Sequence, residues 1–261
     1  MSAEGRRSRA GQLRPSGQHL LRSDELASEV VSQAGVRPTD LVFEIGAGTG
    51  RITGALAESA GRVVAIELDP GFADTLRRRF RARPQVGVVE ADVLRVPLPQ
   101  GPFRAFGNIP FGLTTAILRR LLDDPTSPLD RADLIVQHEV ARKRSSVWPS
   151  DLLSLGWLPW WELQLVRHLP ARAFEPPPSI DAGLLSITKR PQPLAAPELR
   201  DDYLAFVHAG FRRADLPVHR SLRTQLPEGL SKRTMRKRGL GPGAKARHLD
   251  VFDWVALFLL A

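Results

Sequence analysis

The sequence predicts an α/β protein, in which a Rossmann-like domain with a sheet of about seven strands precedes a small α-helical domain. Between residues 23 and 189, short apolar runs alternate with segments of helical periodicity. This alternation is typical of βαβ units and of a parallel sheet with helices on both faces. Prolines at positions 191, 193 and 197 interrupt the pattern, and only helical periodicity follows. We therefore expect two units joined by a proline-containing linker.

The elements follow from local signals. The first helix is predicted to begin after Ser23, a good N-cap, and to end at Gly35, because glycine favours the left-handed conformation that closes helices. Apolar residues at helical spacing predict C-terminal helices over 199–211 and 251–260. Strands are predicted where short apolar runs are bounded by glycine, proline or acidic residues. These runs cover 41–45, 63–66, 86–89, 103–106, 134–137, 163–169 and 184–188.

Three segments differ in composition. Residues 1–13 are polar and basic and contain glycine, which predicts a disordered arm. Residues 14–190 contain the alternating pattern and every candidate ligand-binding motif described below, so they are the predicted catalytic domain. Residues 191–261 form the predicted helical, basic domain.

The composition excludes cysteine chemistry and argues against a membrane protein. With no cysteine among 261 residues, the chain has neither disulfides nor thiolate metal ligands. The longest apolar stretch, 251–261, contains Asp253 and is too short to span a bilayer. The arginine-rich N-terminal segment lacks the apolar core of a signal peptide, so we expect a cytoplasmic protein with no membrane partner.

The net charge of +9 is concentrated near the C-terminus. Eleven basic and two acidic residues lie between Arg212 and Arg247, so this segment accounts for the whole net charge. Such a block is typical of proteins that bind a phosphate backbone, although a solvated charged surface remains the alternative. With help from Arg6, Arg7, Arg9 and Arg14, we expect RNA contacts from Arg212, Arg213, Arg220, Arg223, Lys232, Arg233, Arg236, Lys237 and Arg238.

A glycine-rich loop follows the first predicted strand. Gly46, Gly48 and Gly50 have a spacing that lets the backbone turn tightly and approach a ligand closely. Arg51 stands where a dinucleotide-binding fingerprint requires its third glycine, which weighs against NAD. Glu44, just before the loop, suits a ligand that carries an ammonium group and would repel a pyrophosphate. S-adenosylmethionine has such an ammonium group.

Two further acidic residues end predicted strands. Glu67 lies about twenty residues beyond the glycines, where a carboxylate can accept hydrogen bonds from both hydroxyls of a ribose. Asp92 and the adjacent backbone amide of Val93 suit the edge of an adenine ring. Each acid alone is more often a helix cap or a surface group. Together, at the carboxyl ends of neighbouring strands, they predict a binding site for S-adenosylmethionine.

The tetrapeptide Asn108-Ile109-Pro110-Phe111 follows the fourth predicted strand. The amide oxygen of Asn108 and the carbonyl of Ile109 can each accept a hydrogen bond from a planar amine, and Phe111 can stack on the ring that carries it. Held in this way, the amine nitrogen loses conjugation with the ring and becomes nucleophilic. The tetrapeptide therefore indicates N-methylation of adenine, whereas a simple strand-to-loop turn remains the alternative for these residues alone.

Over roughly residues 12–190, the chain resembles the Erm and KsgA group of rRNA adenine N6-methyltransferases. Asn-Ile-Pro-Phe and the short basic helical tail are most similar to the Erm branch. This resemblance implies methylation of one adenine of 23S rRNA and resistance to macrolide, lincosamide and streptogramin B antibiotics. It also implies that residues 137–142 and 174–179 flank the target-base pocket. The motifs that carry it, in order and with natural spacing, are 18–21, 44–50, 67–69, 92–94 and 108–111.

The resemblance implies S-adenosylmethionine as the methyl donor, with S-adenosylhomocysteine as the product. It implies protein-free or precursor 23S rRNA as the partner, and we expect a monomer. The cofactor is expected to contact Gln18, His19, Leu20, Glu44, Gly46, Ala47, Gly48, Gly50, Glu67, Leu68, Asp92, Val93 and Asn108.

The N-terminal motif departs from the family pattern. Where the family usually has Gln-Asn-Phe, this chain has Gln18-His19-Leu20. Gln18 is still expected to reach the carboxylate end of the cofactor. His19 either donates a hydrogen bond in place of the asparagine or is simply exposed on the surface.

Other functions and sites were weighed on the same residues. A KsgA-like 16S rRNA adenine dimethyltransferase is the enzymatic alternative, and a non-catalytic nucleic-acid-binding factor on the same fold is the other. No metal site is expected, because His138-Glu139 is not followed by a second histidine at helical spacing. For the tryptophans, a core or domain-junction cluster is favoured over a base-stacking surface. These tryptophans are Trp157, Trp160 and Trp161.

Overall fold

The computed structural model of the chain describes residues 19–146 and 151–261. Its strands are β1 (Leu20–Leu21), β2 (Leu41–Ile45), β3 (Arg62–Glu67), β4 (Val86–Glu90), β5 (Phe103–Asn108), β6 (Leu129–Gln137), β7 (Trp161–Leu169), β8 (Phe174–Glu175) and β9 (Ala182–Lys189). Its α-helices are α1 (Asp24–Ala34), α2 (Arg51–Ser59), α3 (Pro70–Arg79), α4 (Thr114–Leu122), α5 (His138–Arg144), α6 (Leu152–Leu155), α7 (Arg200–Phe211), α8 (Val218–Ser221), α9 (Glu228–Lys237) and α10 (Val251–Phe258).

Seven strands form one sheet in the order β4-β3-β2-β5-β6-β9-β7. All seven predicted strands are confirmed. The five strands from β4 to β6 are mutually parallel, as predicted, but β9 is antiparallel to both of its neighbours. The chain returns from β7 to β9 through residues 170–181, which contain no α-helix. Without a helical crossover the returning strand can pair only in the antiparallel direction, so the prediction of a wholly parallel sheet is wrong at β9.

The predicted helix ends are confirmed at α1. The Ser23 hydroxyl accepts a hydrogen bond from the Leu26 amide at 3.2 Å, and Gly35 closes the helix in the left-handed conformation with φ of 60°. Asp69 caps α3 in the same way, because its carboxylate accepts from the Phe72 amide at 2.9 Å. These caps fix where α1 and α3 begin relative to the carboxyl ends of the strands.

A buried ion-pair network closes the opposite edge of the sheet. Arg104, near the start of β5, donates to Asp40 at 2.9 Å and lies 3.4 Å from Asp133 on β6. The same guanidinium donates to the carbonyls of Ala34 and Gly35 at the end of α1. It therefore satisfies carbonyl groups that the helix end leaves unpaired and ties α1 to the sheet.

The C-terminal helices share a hydrophobic core with the sheet rather than packing separately. Trp160 donates from Nε1 to the carbonyl of Ala195 at 2.9 Å, and its ring meets that of Tyr203 on α7 edge to face, with centroids 5.8 Å apart. Trp157 and Trp161 are also buried and donate to Asp123 and Leu122 at the end of α4. The three tryptophans thus form a buried core cluster between the sheet, α4 and the C-terminal helices, in agreement with the core alternative that was predicted.

Candidate active site

A cavity lies at the carboxyl edge of the sheet, where β2, β3, β4 and β5 end. It brings together residues from all five of the predicted motifs, which are far apart in sequence. Its lining consists of His19, Leu20, Ile45, Gly46, Gly48, Ile66, Glu67, Leu68, Ala91, Asp92, Val93, Asn108, Ile109, Pro110, Phe111 and Leu113.

The glycine loop joins β2 to α2 on one side of this cavity. Gly46, Gly48 and Gly50 have φ of 70°, 54° and 81°, a region that residues with a side chain rarely adopt. A Cβ atom on Gly48 would lie only 2.8 Å from Leu20. The backbone conformation therefore requires glycine, and a side chain at position 48 would also displace the end of the Leu20 side chain. Ala47 and Gly50 shape the loop but do not line the cavity.

Glu67, at the end of β3, is fixed by backbone amides. One carboxylate oxygen accepts from the Gly48 amide at 2.7 Å and the other accepts from the Asp69 amide at 2.9 Å. The residue is only 3% exposed, yet it lines the cavity. Each oxygen keeps a second lone pair, so the carboxylate is a rigid double acceptor suited to a pair of hydroxyl groups.

Glu44 is buried and lies outside the cavity lining, although its neighbours Ile45 and Gly46 belong to it. Burial, together with the negative charge of Glu67, raises the pKa of Glu44 to about 8. The neighbouring Thr53 lowers this pKa to a smaller extent. Within the described ranges, neither Glu44 oxygen has a hydrogen-bond partner. The structure therefore does not bring this carboxylate to the position that the sequence analysis predicted for it.

Leu68 and Asp92 form the far side of the cavity. Leu68 is 67% exposed, so its apolar side chain is accessible to a ligand in the cavity. Asp92 follows β4, and one of its oxygens accepts from the Leu94 amide at 2.8 Å. The neighbouring residue Val93 also lines the cavity. An apolar side chain can pack on the face of a purine, and a neighbouring acceptor can bind its edge.

Asn108, the last residue of β5, has a defined side-chain orientation. Its Nδ2 donates to the backbone carbonyl of His19 at 2.6 Å. Because a carbonyl only accepts hydrogen bonds, the nitrogen must face His19 and the Oδ1 oxygen must point the other way. The next residue is also fixed, since the Ile109 amide donates to the carbonyl of Ile135 at 3.0 Å. Phe111 completes the motif and lines the cavity.

Metal ligands are not gathered in the described part of the chain. There, no group of three or more His, Asp or Glu side chains is arranged to hold an ion. His138 and His168 do meet, with ring centroids 4.8 Å apart, but His168 is hydrogen-bonded to Asp181 at 2.8 Å. Likewise, none of the helices within residues 19–146 and 151–261 has the length and apolarity needed to cross a bilayer.

Comparison with known proteins identifies the family. A family model for ribosomal RNA adenine dimethylase matches residues 13–261. The chain belongs to this family. The solved structure of the 23S rRNA methyltransferase ErmE has a TM-score of 0.83 and 29% sequence identity to the chain, covering 92% of it and 98% of ErmE.

Two curated relatives show the range of functions named within the dimethylase family. The mycinamicin-resistance protein MyrB of Micromonospora griseorubida is 36% identical over 89% of this chain and 73% of its own length. Ribosomal RNA small subunit methyltransferase A of a Synechococcus strain is 32% identical over 92% of this chain and 90% of its own length. The chain spans 66% of the length of several other relatives that it matches.

His19 is one of the two positions, with Leu20, at which this dimethylase-family chain departs from the expected motif. Its Nδ1 is 2.8 Å from the carbonyl of Pro176, and its ring centroid is 5.9 Å from that of Phe111. The ring therefore has a hydrogen-bond partner within the protein, and the bond that His19 was expected to donate in place of the family's asparagine stays a prediction. Gln18, Arg14 and the N-terminal arm lie outside the described residues.

Arg51 has a role that the sequence analysis missed. Its guanidinium donates to the carbonyl of Leu21 at 2.8 Å and lies 3.3 Å from Asp24. It therefore holds β1 against the start of α2, beside the glycine loop. The sequence indicated only that Arg51 stands where a dinucleotide fingerprint has its third glycine, and this did not predict a structural role for the arginine.

The basic C-terminal residues divide into two groups. Arg238 is paired with Asp253 and Asp250 of the α10 start, and Lys232 is 2.5 Å from Glu228. Both side chains therefore have intramolecular partners. The other seven predicted RNA-binding residues are exposed, and no ion pair within 4.0 Å engages them in the described part of the chain. They are Arg212, Arg213, Arg220, Arg223, Arg233, Arg236 and Lys237.

Proposed function

We propose that this chain transfers a methyl group from S-adenosylmethionine to the exocyclic N6 of one adenine in 23S rRNA. The observation that carries this proposal is the orientation of Asn108, whose Nδ2 is held by the His19 carbonyl so that Oδ1 is free to accept from an amine. The likeness to ErmE over nearly the whole chain supports 23S rRNA as the substrate.

The cavity fits the cofactor by its own chemistry. Glu67 presents two fixed acceptor oxygens for the ribose hydroxyls, and the exposed side chain of Leu68 lies beside it for the purine face. Asp92 accepts from the adenine amine. His19, Leu20 and the glycine loop border the remaining part, where the methionine portion would lie. When bound, S-adenosylmethionine supplies an electrophilic methyl group on its sulfonium centre.

The residues of the Asn108 motif prepare the target base. The adenine leaves its stack and lies on Phe111, while Asn108 Oδ1 and the Ile109 carbonyl accept the two hydrogens of its amine. These two acceptors turn the nitrogen lone pair out of conjugation and towards the methyl group. Once methylated, the nitrogen is acidic and releases its proton to water, so the reaction requires no general base.

The exposed basic residues between Arg212 and Lys237 bind the RNA backbone. Seven unpaired cations in one segment give the electrostatic attraction that a polyanion requires, without reading its sequence. We propose protein-free or precursor 23S rRNA as the substrate, a monomeric enzyme and a cytoplasmic location. Resistance to macrolide, lincosamide and streptogramin B antibiotics follows from this modification, and MyrB is named for resistance to mycinamicin.

A second candidate is dimethylation of adenine in 16S rRNA. It is favoured by one observation, the 32% identity to small subunit methyltransferase A over 90% of that relative. The catalytic motif serves either RNA equally, because both reactions act on the same amine. The difference between the two candidates therefore lies in RNA recognition.

Mass spectrometry of nucleosides tests both candidates. The protein is incubated with methyl-labelled S-adenosylmethionine and either protein-free 23S or 16S rRNA, alongside Asn108→Ala. We expect labelled N6-methyladenosine or N6,N6-dimethyladenosine from 23S rRNA only, and none with the variant. Label in 16S rRNA alone would establish the second candidate. Label in neither, despite measurable cofactor binding, would contradict the proposal and support a non-catalytic binding factor.

A further inference from the structure

Residues 19–21 connect three parts of the cavity that are distant in sequence. The His19 carbonyl accepts from Asn108, and the Leu20 side chain packs on the glycine loop at Gly48. β1 pairs with β8, where Leu20 lies opposite Glu175. A single short segment therefore touches the cofactor loop, the catalytic amide and the segment that follows β7.

The imidazole of His19 adds a specific link to this arrangement. The Pro176 carbonyl only accepts hydrogen bonds, so Nδ1 of His19 carries the hydrogen at their 2.8 Å separation. The side chain thus binds one partner, Pro176, while the backbone carbonyl of the same residue binds another, Asn108. Fixing the ring in this way also fixes the backbone from which the carbonyl projects.

We propose that His19 is a positioning residue for methyl transfer: its Nδ1–H holds Pro176 and thereby keeps its own carbonyl in place to orient the Asn108 amide. This inference rests on the proposed function of the same site. His19 acts through Asn108 and the β8 segment. Without the imidazole bond, Asn108 Oδ1 loses its fixed direction and the Phe111 side of the cavity loosens.

The expected effect falls mainly on turnover, with a smaller loss of cofactor affinity because His19 also lines the cavity. The hydrogen bonds that fix Glu67 come from Gly48 and Asp69 and do not involve the His19 ring. The reacting amine, by contrast, depends on the placement of Asn108 Oδ1. A displacement of the order of 1 Å at such a group lowers a rate by about 100-fold.

Three substitutions separate the two ring nitrogens. His19→Asn retains an N–H at the same number of bonds from Cβ as Nδ1, whereas His19→Gln places its amide nitrogen at the position of Nε2. His19→Ala removes both. His208→Ala, an exposed histidine on α7, is the matched control. For each protein, kcat and KM are measured on the rRNA that the wild type methylates, and the Kd of S-adenosylhomocysteine is measured by calorimetry.

We expect His19→Ala and His19→Gln to lower kcat by about 10- to 100-fold, and to raise the Kd of S-adenosylhomocysteine by a smaller factor than the loss in kcat. His19→Asn should keep kcat within about threefold of the wild type. Retention of activity by His19→Gln with its loss in His19→Asn would overturn the proposal, since Nε2 would then be the functional atom. Unchanged kcat in all three variants would also overturn it.

Hydrogen exchange tests the same link without RNA. The Arg22 amide donates to the Ala173 carbonyl at 2.8 Å, so exchange in residues 19–22 and 171–175 reports on the β1–β8 pairing. With S-adenosylhomocysteine bound, exchange there should be faster in His19→Ala and unchanged in His19→Asn. Equal exchange in both would overturn the inference. If the wild type methylates neither rRNA, the proposed function fails, and this measurement still decides the role of His19.

Discussion

The side chain of Asn108 donates from Nδ2 to the backbone carbonyl of His19 at 2.6 Å, across 89 positions of sequence. This contact decides which way the amide faces, because only its nitrogen can bind a carbonyl. The oxygen that the proposed reaction requires is thereby directed away from His19. The orientation of the Asn108 amide is therefore a property of the fold and not of the tetrapeptide.

Asn108→Asp tests this relationship. The carboxylate keeps an acceptor oxygen but has no hydrogen to donate, and it would meet the His19 carbonyl with like partial charge. We expect kcat for adenine methylation to fall by about 100-fold or more, because the acceptor loses its defined direction. Turnover is measured by methyl incorporation with a saturating cofactor concentration. Turnover close to the wild type would show that an acceptor oxygen at this position is sufficient by itself.

Glu67→Gln tests the cofactor site. Both carboxylate oxygens accept backbone N–H groups, so the NH₂ of glutamine would face a donor at one of them. We expect the affinity for S-adenosylhomocysteine, measured by calorimetry, to fall by about tenfold or more, since such an unsatisfied contact costs about 1–3 kcal/mol. Glu90→Gln at the exposed end of β4 is the control and should bind as the wild type does. Equal affinity in both variants would place the ribose elsewhere.

The salt dependence of RNA binding tests the basic segment. Replacing Arg233 and Arg236 with alanine removes two exposed cations of α9, and the control replaces Arg78 and Arg81 near the end of α3. If each α9 arginine contacts a phosphate, the plot of the logarithm of the RNA-binding constant against the logarithm of the salt concentration should become less steep. Its slope should decrease in magnitude by about 1 for each contact removed. The control pair should leave the slope unchanged. The same loss in both pairs would indicate a general effect of net charge.

The buried carboxyl group of Glu44 predicts a pH dependence of stability. Burial raises its pKa to about 8 in the folded state, whereas the unfolded chain has a value near 4.5. The folded state therefore binds the proton more tightly, so this contribution is complete below pH 4.5 and is lost as the pH rises through about 8. Glu44→Gln, which stays neutral, should flatten the decline in the free energy of unfolding between about pH 5 and 8.

Urea unfolding at several pH values measures this effect. Glu58→Gln, at an exposed position near the end of α2, provides the control and should keep the pH profile of the wild type. An unchanged profile in Glu44→Gln would mean that the carboxyl group ionises in the folded protein as readily as in water. We expect the difference in the free energy of unfolding, Glu44→Gln minus wild type, to be larger at pH 8 than at pH 5.

Local sequence patterns determined the order of the elements and the chemistry of the site. The seven apolar runs became strands, and Ser23 and Gly35 ended α1 as predicted. The glycine loop, Glu67, Asp92 and the Asn108 motif meet at one edge because residues after parallel strands share the carboxyl edge of a sheet. Such features depend on neighbouring residues along the chain and on the sheet direction.

Contacts between distant segments were decided only by the tertiary structure. These include the antiparallel direction of β9, the bond from Arg51 to Leu21 and the bond from His19 to Pro176. The burial of Glu44 outside the cavity belongs with them. Each depends on which side chains from remote parts of the chain approach within hydrogen-bonding or packing distance. The spacing of residues along the sequence does not specify these distances between remote segments. The residue types in the site could therefore be predicted, whereas the orientation of their side chains could not.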